Sequence, residues 1–400
     1  MNTINKPILV SGAGIGGLTA ALALLQRGFE VRVFEQATQL REVGAGLQLS
    51  PNALRALFNL GLEDAVRKVA FEPAGKEVRL WSTGQTWKLF DLGASAVETY
   101  GYPYAMIYRP DLHALLVDAV RALAPDAIVL GATCDSFVQD EESVVLQLVD
   151  GREVHGTALI GADGVHSRIR SRLFGTDKPI FSGCLAWRGV IPMEKLPASL
   201  QRPVGSNWVG PGAHVIHYPL RGGKLMNFVG IVERDDWQVE SWTERGTHEE
   251  CHRDFTGWHA DIHTMIECLE VPFKWALMGR PPMTRWSVDR ATLLGDAGHP
   301  TLPFLAQGAG MAIEDGYVLA RCVAAHASNL SEAFVRYEQL RLERTAEIVR
   351  RSTENGRRFH NPELADAAGA AAYVDLEWSP SKVHERYDWL FRYAVDEVEV

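Results

Sequence analysis

The sequence predicts an α/β protein with an inserted, mostly antiparallel sheet and a C-terminal helical segment. Three observations predict this class. Residues 7–35 read as strand, glycine-rich turn, helix and strand. Two later blocks, 158–175 and 291–316, again pass from an apolar strand through a turn into a helix. Residues 73–106 and about 180–280 instead carry alternating patterns, which are typical of antiparallel strands.

The composition is that of a globular chain and excludes several functions. The 400 residues are 46% hydrophobic, and the net charge of −10 argues against a nucleic-acid surface. Five scattered cysteines without a Cys-x-x-Cys pair argue against a disulfide scaffold and against a metal site. The uncharged run from Pro7 to Gln26 has the length of a membrane anchor. Its glycines and the amphipathic strand that follows favour a cytoplasmic protein outside the membrane.

The first block carries a phosphate-binding pattern. Gly12, Gly14 and Gly17 form G-x-G-x-x-G between an apolar strand and an amphipathic helix. In dinucleotide-binding units these glycines permit the tight turn, the approach of backbone to a pyrophosphate, and close helix–strand packing. Glu35 ends the second strand and can accept hydrogen bonds from both ribose hydroxyls. The block therefore predicts binding of FAD or NAD, against the alternative of a glycine-rich strand–helix corner.

The two later blocks each place an aspartate after an apolar strand. Asp163 lies in GADGVHSRIR and Asp296 in LLGDAGHPTLPFLAQGAGMAIEDG. Taken alone, Asp163 is interpreted as the N-terminal cap of the following helix. Together with GAGIGG, the two motifs resemble those of the class A flavoprotein monooxygenases, the p-hydroxybenzoate hydroxylase family. The resemblance runs from about residue 6 to 325 and implies that one FAD contacts all three motifs, with NADH or NADPH as a transient co-substrate.

The resemblance implies roles for individual residues around the cofactor. Glu35 would hold the adenosine ribose, Arg109 the phosphate and ribityl side, and Asp296 a ribityl hydroxyl. Asp163, in the second motif, is implied as a further cofactor-binding residue. Without the resemblance, Arg109 would be interpreted as a surface salt bridge before an amphipathic helix.

The third motif would also surround the flavin ring. The resemblance implies that Pro300 lines the ring. It also implies that backbone N–H groups reach its pyrimidine edge from Gly308, Ala309 and Gly310. That edge gains negative charge in reduced flavin, so a helix N-terminus there favours reduction.

The strand HVIHYPL carries the candidate catalytic residues. Strand alternation places His214, Ile216 and Tyr218 on one face and His217 on the other. By resemblance this strand faces the substrate. His214 and Tyr218 match a His–Tyr pair of family members that hydroxylate 3-hydroxybenzoate or 6-hydroxynicotinate. Such a pair could accept a phenol proton directly or through water. The alternative is a His–Tyr pair satisfied within the sheet.

Other positions bear on the substrate. Pro303 stands where the 3-hydroxybenzoate members have Gln, and Gln48 stands where the 6-hydroxynicotinate members have His, so a salicylate-type substrate is contradicted least. Arg188 and Arg221 are candidates for pairing with a substrate carboxylate, with strand-edge charges as the alternative. Seven of the eleven tryptophans lie between Trp187 and Trp286, which fits a roof over a flat apolar ligand.

These observations give one expected organisation and function. A discontinuous Rossmann-like FAD-binding domain is expected over residues 1–72, 107–178 and 282–325. The substrate domain is expected over residues 73–106 and 179–281. A C-terminal helical segment is expected over residues 326–400. The expected function is an aromatic hydroxylase that inserts one oxygen atom of O2 into a hydroxybenzoate-type phenolic acid with NAD(P)H. Hydroxylation of an N-heteroaromatic acid and flavin oxidoreduction without oxygen insertion remain alternatives. A homodimer is the candidate assembly.

Overall fold

The computed structural model describes residues 6–40, 45–236 and 244–400. The strands are β1 (Ile8–Ser11), β2 (Val31–Phe34), β3 (Gly46–Leu49), β4 (Gly75–Leu80), β5 (Thr86–Asp91), β6 (Ala105–Tyr108), β7 (Ile128–Val129), β8 (Cys134–Gln139), β9 (Val144–Leu148), β10 (Glu153–Gly156), β11 (Ala158–Gly161), β12 (Ile180–Pro192), β13 (Val204–Gly210), β14 (Ala213–Leu220), β15 (Leu225–Glu233), β16 (Phe273–Gly279) and β17 (Ala291–Leu293). The helices are α1 (Ile15–Leu25), α2 (Pro51–Asn59), α3 (Glu63–Val69), α4 (Ala94–Tyr100), α5 (Arg109–Leu123), α6 (Arg168–Phe174), α7 (His248–Asp254), α8 (Ala260–Cys268), α9 (Gly308–Ala325), α10 (Leu330–Phe359), α11 (Ala367–Glu377) and α12 (Pro380–Phe391).

A parallel five-stranded sheet in the order β17-β11-β1-β2-β7 brings the three sequence motifs together. Ser11 pairs with Phe34 and with Gly161, and Gly161 pairs with Leu293. The glycine-rich turn, the GADG loop and the Gly-Asp loop therefore leave the sheet at the same edge. Ligands of open parallel sheets bind outside the carboxyl ends of the strands, so this edge is the expected ligand-binding edge.

A second sheet of seven strands stands opposite, in the order β16-β12-β15-β14-β13-β4-β5. Its pairs are antiparallel except for β13 with β4. Strands β14 and β15 form a hairpin around the Arg-Gly-Gly turn. The α/β fold class with an inserted, mostly antiparallel sheet is thus confirmed, whereas the exact domain boundaries stay a prediction.

Alternation along β12 separates the two faces of this sheet. Trp187 joins a buried cluster with Trp208, Trp258 and the apolar sides of α7 and α8. Arg188, the next residue, lies on the opposite face. Because side chains alternate along a strand, one face of the sheet packs on helices and the other is left to line a cavity.

The C-terminal helices close the structure. The aromatic residues of α12 pack on the rest of the protein, with Phe391 in ring contact with Tyr104 at 5.9 Å and Tyr387 with Phe90 at 5.6 Å. The helix α10 is rich in arginine and glutamate, yet one of its arginines, Arg341, is fully buried. No helix within the described part of the chain is long and apolar enough to cross a membrane.

Candidate active site

A cavity of about 380 Å³ lies between the two sheets. Its walls come from the glycine-rich turn and the start of α1, from β3, from the loops after β11 and β17, from the N-terminus of α9, and from strands β12, β14, β15 and β16. Each of the three sequence motifs contributes residues to it. The cavity therefore joins the edge of the parallel sheet to the inner face of the antiparallel sheet.

At one end of the cavity the glycines have the geometry of a phosphate cradle. Gly12 has φ +103°, and a Cβ there would lie 2.4 Å from the carbonyl oxygen of Ala162. A Cβ on Gly17 would lie 2.1 Å from the carbonyl oxygen of Gly12, whereas one on Gly14 would meet no atom within 4 Å. The first and third glycines are thus required by close packing, and the second leaves open space before an α1 N-terminus without a side-chain cap. That space suits a pyrophosphate, which the free N–H groups would bind.

Glu35 lies beside this turn and outside the cavity lining. Its Oε2 accepts a hydrogen bond from the backbone N–H of Ala13 and its Oε1 from that of Ala37, both at 2.9 Å. Each carboxylate oxygen can accept more than one bond, so the predicted ribose contact is compatible with this arrangement.

Asp163 bonds the N-terminus of α6, in line with its interpretation as a capping residue, although the N-cap position itself is Ser167. Its carboxylate accepts from Ser167 Oγ at 2.5 Å and from the backbone N–H groups of Arg168 and Ile169 at 2.8 and 3.3 Å. Burial raises the pKa of this carboxyl, while those bonds oppose the shift. Asp163 does not line the cavity, but its neighbours Ala162 and Gly164 do. A direct cofactor contact by Asp163 stays a prediction.

The other predicted cofactor residues gather at the middle of the cavity. Arg109, Asp296, Pro300, Gly308 and Ala309 all line it. Asp296 is open towards the cavity, yet the surrounding protein desolvates its carboxyl and raises its pKa, an effect that His299 and Arg109 oppose.

Gly310 lies one step behind the cavity wall. It does not contribute to the lining, and a Cβ there would come within 3.2 Å of Gln307 Oε1. Gln307 begins α9 without a side-chain cap, so the first N–H groups of that helix remain available near Gly308.

A buried polar network holds the Gly-Asp loop against α9. Asp315 Oδ2 accepts from the N–H of Gly295 at 3.1 Å and lies 2.5 Å from His299 Nε2. Its Oδ1 accepts from Arg341 Nε at 2.8 Å. Burial alone would raise the pKa of Asp315, but His299 and Arg341 hold it below the ordinary value. These bonds fix Gly295 and His299, which lie before and after Asp296 in the loop.

The antiparallel sheet supplies the opposite wall. Arg188 and Tyr218 line the cavity from this sheet, and Gln48 on β3 and Pro303 in the loop after β17 also line it; all four were predicted from sequence. Arg188 is only 2% exposed, and its guanidinium carbon lies 4.6 Å from the ring centre of Trp275. Desolvation, with repulsion from Arg109, lowers the pKa of Arg188 to about 10. Arg188 is still a cation at neutral pH, which gives this wall a positive charge.

Two of the predicted catalytic and substrate-binding residues, His214 and Arg221, lie away from the cavity. His214 is fully buried on the same sheet face as Ile216 and Tyr218, but only the latter two line the cavity. His214 Nδ1 lies 2.6 Å from His360 Nε2, and His360 Nδ1 lies 2.8 Å from Glu233 Oε1. Burial and the neighbouring His360 lower the pKa of His214 well below its usual value. As placed, His214 has no direct route to a ligand in the cavity.

Arg221 lies on the surface at the β14–β15 turn. It forms a two-bond ion pair with Asp111 at 2.6 and 2.8 Å and does not line the cavity. The expected tryptophan roof is also reduced, because Trp275 is the one cavity-lining tryptophan among the described residues. Trp237 and Trp242 lie outside those residues.

Comparison with known proteins gives the family. A family model described as an FAD binding domain matches residues 5–352. The chain belongs to this FAD-binding family. The predicted resemblance to class A flavoprotein monooxygenases and the predicted FAD cofactor are thereby confirmed.

Several relatives in this family cover nearly the whole chain. A 3-amino-4-hydroxybenzoate 2-monooxygenase of Streptomyces platensis is 40% identical over 91% of both chains. A 3-hydroxybenzoate 6-hydroxylase of Polaromonas naphthalenivorans is 37% identical over 98% of both. A 6-hydroxynicotinate 3-monooxygenase of Pseudomonas fluorescens is 39% identical over 87% of this chain and 90% of its own.

The fold also matches a solved structure of a protein with the same cofactor. Klebsiella pneumoniae HpxO complexed with FAD and uric acid is 25% identical over 99% of this chain and 97% of its own, with a TM-score of 0.84. The described residues fit FAD in this family member. The open space at Gly14, the two helix N-termini without side-chain caps and the cavity-facing Asp296 form one continuous wall.

Some residues of the site carry no sequence signal. Trp275 lies in an ordinary strand pattern. Tyr104 donates its hydroxyl proton to Gln48 Oε1 at 2.8 Å and accepts from Lys76 Nζ at 2.9 Å. Asn227 Oδ1 accepts from the N–H of Gly46 at 2.7 Å, next to Tyr218. These residues act through contacts between distant segments, which no local motif records.

Proposed function

We propose that this chain is an FAD-dependent hydroxylase that inserts one oxygen atom of O2 into the ring of a hydroxybenzoate-type phenolic acid, with NAD(P)H as reductant. One observation carries the proposal: the FAD cradle opens directly onto a wall with a buried arginine, an aromatic ring and a tyrosine hydroxyl. Bound FAD supplies the redox chemistry, accepting hydride from the nicotinamide and activating O2.

Arg188 is the proposed partner of the substrate carboxylate. It is buried, cationic and fixed beside Trp275. The described charged residues that line the cavity are Arg109, Arg188 and Asp296, so the lining as a whole attracts an anion. An Arg–carboxylate pair in such a desolvated place is stronger than one on the surface, where Arg221 lies.

Tyr218 is the proposed partner of the phenol oxygen. It lines the cavity, and Gln48 beside it is held by Tyr104. Burial raises the pKa of Tyr218, so the residue stays a neutral hydroxyl that can donate to a phenolate. His214 is not needed for this step, and its predicted acid–base role would require a water molecule between it and the substrate.

The proposed flavin contacts are those given by the cavity. Arg109 and Asp296 would meet the phosphate and ribityl part, and the backbone at Gly308 and Ala309 would meet the pyrimidine edge. The seven-stranded sheet then covers the ring and excludes water from the reacting carbon. A homodimer and a cytoplasmic location are proposed with the same enzyme, and size-exclusion chromatography tests the dimer.

The test is a substrate panel. Salicylate and 3-hydroxybenzoate are incubated with the FAD-loaded protein, O2 and either NADH or NADPH, and benzoate and phenol serve as controls that lack one group each. We expect faster NAD(P)H oxidation and a product heavier by one oxygen atom with at least one hydroxybenzoate. Failure of every hydroxybenzoate to give such a product would contradict the proposal.

Arg188→Met sharpens this test. We expect it to raise KM for the carboxylated substrate at least tenfold, since one buried ion pair is lost. The same substitution at Arg221 examines the other candidate arginine. A larger effect at Arg221 than at Arg188 would contradict the assignment of the carboxylate site.

A second candidate substrate is a hydroxylated N-heteroaromatic acid such as 6-hydroxynicotinate. The relative from Pseudomonas fluorescens carries that name at 39% identity, and Arg188 would bind the carboxylate of such an acid equally well. Including 6-hydroxynicotinate in the panel separates the two candidates by their relative kcat/KM.

A further inference from the structure

A chain of hydrogen bonds leads from the cavity to a lysine behind it. Lys76 Nζ donates to the hydroxyl oxygen of Tyr104 at 2.9 Å, and Tyr104 donates its own proton to Gln48 Oε1 at 2.8 Å. The Gln48 side chain lies next to Tyr218 in the cavity lining and lowers the Tyr218 pKa, against the raising effect of burial. Gln48 and Tyr218 line the cavity, whereas Lys76 and Tyr104 do not.

The hydrogen bonds from Lys76 through Tyr104 to Gln48 all run in one direction, from donor to acceptor. An ammonium group only donates, so Tyr104 accepts from Lys76 and must direct its own proton to the Gln48 oxygen. Because Gln48 Oε1 is turned to Tyr104, its amide NH2 is the group that can donate towards Tyr218. A bond that lowers a phenol's pKa is one that favours the phenolate, in agreement with this direction. The proton of Tyr218 is then left to be donated elsewhere.

Packing keeps Tyr218 in place at the end of the chain. A Cβ on Gly46 would lie 2.6 Å from Tyr218 Cε2 and 2.7 Å from its hydroxyl oxygen. The N–H of Gly46 is bonded to Asn227, which stands opposite Tyr218 in the β14–β15 pair. The tyrosine ring is therefore clamped between β3 and β15, with its hydroxyl at the cavity.

The surroundings of Lys76 offer it no carboxylate among the described residues. Its neighbours in the sheet are Gly205 and Phe90, and its ammonium also lies 4.8 Å from the centre of the Tyr104 ring. The nearby acids are engaged elsewhere: Glu77 bonds Arg202 and Ser206, and Asp91 bonds Lys88. The remaining titratable groups on this side are the phenols of Tyr218 and Tyr387, which face Tyr104.

We propose that Lys76 is a positioning residue that, through Tyr104 and Gln48, orients the Tyr218 hydroxyl as a donor into the cavity and supplies the positive charge that stabilises the substrate as its phenolate. This inference rests on the proposed function. No proton needs to cross the Gln48 amide: the phenol proton leaves to solvent, and the chain contributes orientation and charge. The negative charge that Lys76 lacks among its neighbours would thus be the phenolate of the ligand.

The charge on Lys76 makes the effect depend on pH. Burial lowers the pKa of Lys76 to about 7. Below that pH Lys76 is a cation and favours the phenolate form of the bound substrate. Above it Lys76 is neutral and its charge no longer contributes. Linkage is reciprocal, so a bound phenolate also raises the pKa of Lys76. For charges roughly 10 Å apart in a medium of effective dielectric constant about 20, the expected change in the phenol's pKa is about one unit.

The experiment follows ionisation of a bound probe without turnover. 3-Hydroxybenzoate is added to the FAD-loaded protein without NAD(P)H, and ultraviolet difference spectra between pH 6 and 9 report the fraction of bound phenolate. The variants are Lys76→Met, Lys76→Arg and Tyr104→Phe, with Lys88→Met on the adjacent strand as the matched control.

We expect Lys76→Met to raise the ionisation midpoint of the bound phenol by up to about one pH unit. Tyr104→Phe, which keeps the charge but breaks the hydrogen bonds from Lys76 to Gln48, should raise it by less. Lys76→Arg should keep the low midpoint and remain effective above pH 7, because guanidinium stays charged. Lys88→Met should match the wild type, since Lys88 is exposed and paired with Asp91. If Lys76→Met loses FAD or fails to fold, Tyr104→Phe decides the outcome, because it keeps the ring and removes only the hydroxyl.

The outcomes separate this inference from the proposed function. Unchanged midpoints in Lys76→Met and Tyr104→Phe, with probe and FAD still bound, would overturn the role of Lys76 and leave hydroxylation standing. A shifted midpoint with no hydroxylation of the probe in the turnover assay would support the role of Lys76 and contradict the proposed reaction. No binding of the probe to the wild type would overturn the hydroxybenzoate class and this inference with it.

Discussion

Replacing Arg341 by methionine tests whether the buried ion network positions the cofactor site. Arg341 is fully buried; its guanidinium bonds Asp315 at 2.8 Å and pairs with Glu314 at 2.6 Å. Asp315 in turn holds Gly295 and His299 on either side of Asp296. The substitution keeps most of the side-chain volume and removes only the charge and the hydrogen bonds.

The size of the stability loss depends on the partners that Glu314 and Asp315 retain. Removing one partner of a buried ion pair costs about 3–5 kcal/mol, because the other charge is left uncompensated. Glu314 retains Arg344 and Asn52, and Asp315 retains His299, so the low end applies. We expect the free energy of unfolding to fall by about 3 kcal/mol, and FAD affinity to fall with it because the Gly-Asp loop loses its anchor.

Urea unfolding at a fixed excess of FAD measures the first effect, and flavin fluorescence titration measures the second. Arg350→Met on the same helix is the matched control: Arg350 is half exposed and pairs with Glu343 and Glu347, so its loss should cost less than about 1 kcal/mol. Equal effects of the two substitutions would refute the reasoning, as would unchanged FAD affinity in a destabilised Arg341→Met.

Three further predictions concern the site. Asp296→Ala should weaken FAD binding roughly tenfold, because it removes one hydrogen bond to a charged group. Flavin fluorescence titration measures the affinity, and an unchanged value would contradict the ribityl contact. Gly46→Ala should raise the Kd for 3-hydroxybenzoate with little change in FAD affinity, because a Cβ would sit 2.6 Å from the Tyr218 ring; an unaltered substrate Kd would contradict the clamp. The pKa values of Glu314 and Asp315 are lowered by their arginine and histidine partners against the opposing effect of burial, so their stabilisation is present above the ordinary carboxyl pKa of about 4 and is lost as pH falls through the lower folded values. The urea midpoint should therefore fall on acidification below about pH 4, and Asp315→Asn should reduce that fall.

Local patterns were sufficient to predict the strand–turn–helix units on the cofactor side, whereas the cofactor roles of single residues there were implied by the family resemblance and stay predictions. The strand, glycine turn and helix around Gly12 are encoded within thirty residues, and parallel pairing brings the loops at Asp163 and Asp296 to the same edge. Alternation along β14 correctly placed Ile216 and Tyr218 on one face. In each case a short-range rule sets the geometry, so the residues could be named from the sequence.

Residues whose surroundings come from distant segments could not be predicted in this way. Alternation gives the face of His214 but not what covers it, and Phe304 and His360 close that end of the sheet. A charged pattern such as that of α10 is typical of a solvent-exposed helix face, yet Arg341 is buried and pairs with carboxylates on α9. Lys76 likewise gains its role only from contacts across the fold.

The most direct test of the central claim uses isotopically labelled O2. The FAD-loaded protein, NADH or NADPH and a hydroxybenzoate are incubated under the labelled gas, and the product is analysed by mass spectrometry. The account predicts one labelled oxygen atom in each product molecule, with NAD(P)H and O2 consumed in equal amounts. NAD(P)H oxidation that releases only hydrogen peroxide with every phenolic and N-heteroaromatic acid tested, and leaves each acid unlabelled, would contradict it.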